Sequence, residues 1–135
     1  MNILEWLAKA GVPAPDADYG TPDWAISILY PGVVVTDDSE LTQAVEILAN
    51  TALGTCALVP EKGTRIARYI DQPLNKSLGP LIADITAVLG TYEPRVKVIS
   101  VVPTVAAAGA GTLTINFRRA DSANGRTLTT TFAIL

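Results

Sequence analysis

No histidine occurs anywhere in the chain, which removes the commonest general base and transition-metal ligand and with it catalytic triads, zinc sites and imidazole acid–base chemistry. Cysteine is nearly as scarce. Cys56 stands alone, so no internal disulfide can form, and its apolar neighbours predict a packed thiol. No Gly-rich phosphate loop, nucleophile elbow or metal-ligand spacing is present. No apolar run is long enough to cross a bilayer. The first residues, "MNILEWLAKAG", carry Glu5 and no basic leader, so the chain is expected to stay in the cytosol unless it leaves inside a larger particle.

What is present belongs to a folded domain. The 135 residues are 49% hydrophobic, enough for one domain with a real core. A formal charge of −3 argues against a nucleic-acid surface. The charge is unevenly spread. Residues 1–60 carry eight acids and one base, residues 61–135 five acids and nine bases, halves that could pair within the fold or across a head-to-tail assembly.

Residues 2–10 predict a short helix with Ile3, Leu7 and Ala10 on one face and Trp6 flanking. It is too short to stand alone and must dock, on its own domain or on a partner. "GVPAPDADYGTPDW" follows as a semi-rigid linker, so residues 1–30 read as an N-terminal helical arm with a Pro-rich linker and residues 31–135 as the domain. That domain opens near "AISILYPGVVV" with a strand or two broken at Pro31-Gly32. In "DDSELTQAVEILANTALGT", Asp37 and Glu40 suit a capping box, Leu41, Val45, Leu48 and Ala52 keep helical spacing, and Gly54 ends the helix. "EKGTRIARYIDQPLN" predicts a turn at Gly63 and one or two helical turns before Pro73. A second helix covers "LGPLIADITAVLG", with Pro80 in its first turn and Leu81, Ile85, Val88 and Tyr92 on one side.

The stretch "GTYEPRVKVISV" then changes period. Pro94 lacks an amide donor and pushes its predecessor out of helical space, so the helix must stop by Tyr92. Glu93, Pro94 and Arg95 are expected to form a rigid, extended corner displaying carboxylate and guanidinium together. After it, "VKVISVV" is apolar on both faces, as a central strand would be, and "PTVAAAGAG" reads as a loop. "TLTINFRR" places Leu113, Ile115 and Phe117 inward. "ADSANG" supplies a hairpin loop, and "RTLTTTFAIL" returns with Leu128, Phe132 and Ile134 inward. The expected class is α+β: two main helices on a small antiparallel or mixed sheet with a C-terminal β-hairpin, plus the arm.

A glycosidase needs two carboxylates flanking one cleft. Glu40 and Glu46 suit a helix cap and a helix surface, and Asp84 a polar helix face. Asp71 lies in the segment before the second helix. Glu61 and Glu93 remain as a candidate pair.

The Glu93-Pro94-Arg95 corner after an amphipathic helix, together with Thr51, Gly54, Pro60, Gly63 and Arg65 in "ILANTALGTCALVPEKGTRI", resembles phage baseplate assembly protein W and the T-even baseplate wedge subunit that initiates the tail sheath. The type VI secretion baseplate component of that family is also similar. The resemblance covers residues 38–135 and leaves the arm unmatched. It implies a non-enzymatic virion protein of the tail baseplate, assembled in the host cytoplasm and set in several copies in a ring around the tail. Implied partners are wedge proteins and the tail sheath, with tube or hub proteins as further candidates, and neither nucleic acid, membrane, metal nor cofactor. A tailocin or secretion-system part is an alternative within the family. The family has also carried a lysozyme-like label. A general acid must hold a proton, and a guanidinium two residues from Glu93 is the wrong neighbour for that. Partner contacts are expected at Glu93, Pro94 and Arg95, at Thr127, Thr129 and Thr131 on the Thr-rich last strand, which lacks the usual protection of an edge, and at Trp6 in the arm.

Overall fold

The computed structural model describes residues 22–69, 72–105, 111–121 and 125–133. The expected arm helix with Trp6, and also Asp71 and Ile134, lie outside them. The chain divides into two compact units, Met1–Gln43 and Ala44–Leu135.

In the first unit, β1 (Trp24–Ile26) pairs antiparallel with β2 (Val34–Thr36), across the break expected at Pro31-Gly32. β1 is the strand expected near "AISILYPGVVV", beginning one residue earlier, at Trp24, the last residue of the segment read as linker. The turn between the strands is held by side chains: Ser27 Oγ accepts the Leu29 and Tyr30 amides at 3.2 and 3.1 Å. Gln43 donates to the Ile26 carbonyl and accepts from the Ile28 amide at 2.9 and 3.0 Å. Helix α1 runs Asp37–Asn50. Asp37 opens it with φ 50°, a left-handed conformation that aspartate tolerates better than most residues.

α1 stops four residues before Gly54. Thr51 leaves the helix because the chain there is claimed by a different partner: Ala52 bridges Thr64 in parallel, the Thr64 amide donates to the Thr51 carbonyl at 2.8 Å and the Leu53 amide to the Thr64 carbonyl at 2.9 Å. Gly63 makes this approach possible. Its φ is 137°, and a Cβ there would sit 2.7 Å from the Thr51 oxygen and 2.9 Å from the Ala52 carbonyl carbon. Gly63→Ala is accordingly expected to cost about 2–5 kcal/mol, backbone strain plus a clash with main chain that cannot yield. Gly54→Ala, at φ 89° in open space, should cost only about 1 kcal/mol. Thermal melts of the two variants check this, and equal melting temperatures would show that the 51–64 approach is loose.

Ile66–Arg68 forms a short 3-10 helix, and α2 spans Leu74–Tyr92. Pro80 lies inside α2 rather than in its first turn. An interior proline costs about 3 kcal/mol, and the helix bears this because Leu81, Ile85, Val88 and Leu89 are all buried. The end at Tyr92 is where Pro94 requires it.

The second unit's sheet has the order β3 (Val96–Val105), β4 (Gly111–Arg119), β5 (Leu128–Ala133), antiparallel throughout. Leu113, Ile115 and Phe117 of β4 are completely buried, each worth about 1.5–3 kcal/mol. Val45, Leu48 and Ala49 of α1, Val96, Leu128 and Phe132 are buried with them in this unit's core. The central strand is thus β4. β3, expected at the centre, is an edge, and Ile99, Val102 and Val105 are exposed on it. Pro103 to Val105, expected in a loop, extend this strand, which an edge position allows. The class is α+β as expected.

Candidate functional site

The corner closes more tightly than an extended chain would. Glu93 N–H caps α2 by donating to the Leu89 carbonyl at 2.9 Å, and Val96 N–H donates to the Glu93 carbonyl at 3.0 Å. Glu93-Pro94-Arg95-Val96 is therefore a β-turn, with proline at its second position, where the fixed φ suits it. The turn brings the two charged side chains face to face. Arg95 donates through Nε to Glu93 Oε1 at 2.7 Å and through Nη2 to Oε2 at 3.1 Å, a bidentate fork that fixes both groups. They are not displayed equally: the Arg95 side chain is 37% exposed and that of Glu93 only 13%. The corner presents the guanidinium, with the carboxylate beneath it as its orienting partner. Pro94 is exposed beside them.

Glu93 also lines a cleft of about 260 Å³, together with Ile47, Leu48, Cys56, Lys62 and Tyr92. Sequence spacing gave no sign of this cleft, because its walls come from α1, the following loop and the end of α2. Glu61 does not line it, so the cleft holds one carboxylate, already bonded to arginine. Asp84 has a structural task, its Oδ2 accepting the Arg65 amide at 2.6 Å. Glu40 is buried. Among the described residues no group of three His, Cys, Asp or Glu could hold a metal ion, and no helix is long and apolar enough to cross a membrane.

The last strand carries the other expected contacts. Thr129 and Thr131 are exposed on the face away from Leu128, Thr130 and Phe132, and Thr127 is exposed just before the strand. The hydroxyls of Thr129 and Thr131 are used within the sheet: Thr129 donates to Asn116 Oδ1 at 2.8 Å, Asn116 Nδ2 donates to Ser100 Oγ at 3.0 Å, and Thr131 and Thr114 share a bond of 3.1 Å.

Backbone parity decides which amides of β5 face its open side. Ala120 N–H donates to the Arg95 carbonyl at 2.8 Å, so Ala120 turns its polar groups toward β3. Successive residues turn them to opposite sides, which points Leu113, Ile115 and Phe117 toward β5. The bulge between Val98 and Ser100 lies on β3 and leaves the count along β4 unbroken. Pro103 agrees, since it pairs with Leu113 and has no amide to give. Leu128, Thr130 and Phe132, the partners of Phe117, Ile115 and Leu113, therefore bond to β4. Thr129, Thr131 and Ala133 turn their N–H and C=O groups outward. Among the described residues no strand pairs with that edge. The outer edge of β3 is blunted by comparison: the Val96 amide is spent in the corner turn, Pro103 lacks one, and the bulge breaks the row.

Comparison with known proteins adds to this geometry. No curated protein matches. Among solved structures, a Geobacter sulfurreducens protein proposed to be a tail lysozyme is similar at a TM-score of 0.62 and 23% identity, over 75% of this chain and 94% of that one. A chain of the postcontracted pyocin R2 baseplate is similar at 0.55 and 20%, over 82% of this chain and 97% of that one. A chain of the anti-feeding prophage baseplate is similar at 0.53 and 13%, over 83% and 81%. At such identities these three speak for the fold. The sequence pattern of the family described as baseplate wedge protein gp25 matches residues 35–120, well over half of the chain. By that match the chain belongs to the baseplate wedge protein gp25 family and is a structural baseplate protein.

Proposed function

We propose that this protein joins wedge proteins to the first sheath subunits of a contractile tail, binding the wedge at the Glu93-Pro94-Arg95 corner and starting the sheath by strand addition along β5. The observation that carries the reading is the outward row of backbone groups at Thr129, Thr131 and Ala133, on the one edge of the sheet that neither proline nor bulge blunts. An open strand edge is a hazard for a free monomer and a template for a partner's strand. The corner supports the wedge contact differently. A turn closed by two backbone bonds and a bidentate ion pair is ordered before any partner arrives, so little entropy is lost on binding. Residues 1–30 add an arm whose Trp6 is a third contact on sequence grounds. The particle is a virion tail or, as the pyocin and anti-feeding prophage neighbours suggest, a related contractile device. It is assembled in the host cytoplasm with several copies in a ring. The test is to count sheathed and bare tubes in particles carrying proline in β5.

The Geobacter neighbour raises a second reading, hydrolysis of a glycan. Glycosidases place two carboxyl groups about 5–9.5 Å apart across the scissile bond, whereas the cleft beside Glu93 is lined by one, held by Arg95. Purified protein is expected to release no sugar from peptidoglycan at any pH from about 4 to 8. Turnover lost on Glu93→Gln would establish the enzyme instead.

A further inference from the structure

The loop after α1 returns beside its own start, and the two segments are tied by the backbone bonds between Thr51, Leu53 and Thr64 that Gly63 permits. Between them and the 3-10 helix lies a small pocket of about 150 Å³, lined by Ala52, Leu53, Ala67, Arg65 and Arg68 and closed by Thr64. It shares no residue with the cleft at Glu93. Arg65 and Arg68 bracket a single 3-10 turn. With three residues per turn, positions three apart stand in line, and both arginines, exposed to solvent, line the same pocket. The Asp84 carboxylate holds the Arg65 amide at 2.6 Å and fixes where the turn starts. Among the described residues neither guanidinium makes a hydrogen bond or an ion pair.

Two cations carried three positions apart on one short turn repel one another, and an anion between them relieves this. The backbone bonds explain Thr51 and Gly63 of the "NTALGTCALVPEKGTRI" segment. They leave the Arg65 side chain without a structural task. Guanidinium forks match carboxylates in shape as well as charge, and Ala52, Leu53 and Ala67 offer apolar contact to the methylene stem behind a carboxylate. At about 150 Å³ the pocket is well below the roughly 300–1,000 Å³ of small-molecule sites and suits one side chain.

We infer that the Arg65–Arg68 pocket receives an aspartate or glutamate side chain from an acidic segment of another baseplate protein. The inference rests on the chain's being a baseplate component and not on strand addition at β5. Its loss should keep this protein out of the particle, whereas failure at β5 should leave the protein in place and the tube bare.

The experiment replaces the natural chain by the Arg65→Glu, Arg68→Glu double variant in particle-producing cells and measures the protein in purified tails. Incorporation is expected to fall by about tenfold or more, since charge reversal turns two attractions into repulsions. Lys76→Glu, an exposed charge change away from the pocket, should incorporate normally. Should reversal unfold the chain, Arg65→Gln with Arg68→Gln removes both charges while keeping unbranched polar side chains and is expected to show the same loss. Suppressors that restore assembly by changing an acid of another baseplate protein to lysine or arginine would support the inference and name the partner. Normal incorporation of the reversed variant would overturn it. So would suppressors confined to this chain, or retention of a short DNA duplex by the natural protein but not the variant, which would assign the arginines to phosphate.

Discussion

Thr131→Pro is expected to yield a folded protein that enters the baseplate and leaves the tail tube bare of sheath. The Thr131 amide points away from β4 because its neighbours Thr130 and Phe132 pair with Ile115 and Leu113, whose polar groups face β5. Removing that amide breaks no bond within the chain, and proline on an outward register of an edge strand is compatible with the fold. A partner strand laid along this edge would lose a donor and meet the pyrrolidine ring. A fall in sheathed tubes of about tenfold or more is the expected reading, each tenfold standing for about 1.4 kcal/mol. Thr129→Pro shares the register, two residues away, and should behave alike. Thr130→Pro is the opposing control. Its amide faces β4 and its side chain is buried, so proline there should cost about 3 kcal/mol or more in the isolated protein. Thr131→Val keeps the amide and forfeits only the hydroxyl bond to Thr114 at 3.1 Å, so its tails should be sheathed normally. If folded Thr129→Pro and Thr131→Pro proteins both support full sheaths in electron micrographs, the last strand is not the template and the sheath is anchored elsewhere.

Arg95→Ala should block entry into the baseplate while the isolated domain still folds. The ion pair is neither fully exposed nor fully buried, so its loss should cost about 1–2 kcal/mol, between the 0–1 of surface pairs and the 3–5 of buried ones. The melting temperature should fall by roughly 3–8 °C. Glu93→Ala should act through Arg95, by removing the carboxylate that holds the guanidinium in place, and should lose both stability and assembly. The exchange Glu93→Arg with Arg95→Glu separates the two roles. It can rebuild an ion pair across the same turn and recover part of the melting temperature, yet it inverts what the corner presents to a partner. Normal assembly of the exchanged protein would mean that the pair serves only to hold the turn.

Much of this fold can be read from neighbours in the chain. The alternation of Leu113, Ile115 and Phe117 marks a strand with one buried face because successive side chains must point to opposite sides. Pro94 marks the end of α2 because it cannot donate an amide and crowds the residue before it. The absence of histidine closes off whole classes of chemistry without any structure. These are consequences of covalent geometry and composition, and they survive folding unchanged.

Other features depend on segments that meet only after folding. Val96, Val98, Ile99 and Val101 look like a strand covered on both faces, yet β3 is an edge, since its rank in the sheet depends on which strands pair and not on its own residues. Pro80 looks like a helix start, yet the Lys76 and Ser77 amides donate to the Pro73 carbonyl and Ser77 is buried, so α2 begins at Leu74. Glu93 and Arg95 look equally displayed, yet the turn and the cleft sink the acid and leave the base outward. Which amides of β5 face the open side follows from a hydrogen bond between Ala120, just after β4, and Arg95, just before β3. The sequence by itself determined the class of the domain, its main elements and the place of its corner, because local sterics and periodicity act between residues a few positions apart. Only the tertiary structure decided which edge is open, which charge faces outward and which arginines share a pocket, because each of those is a relation between residues that the chain keeps apart and packing brings together.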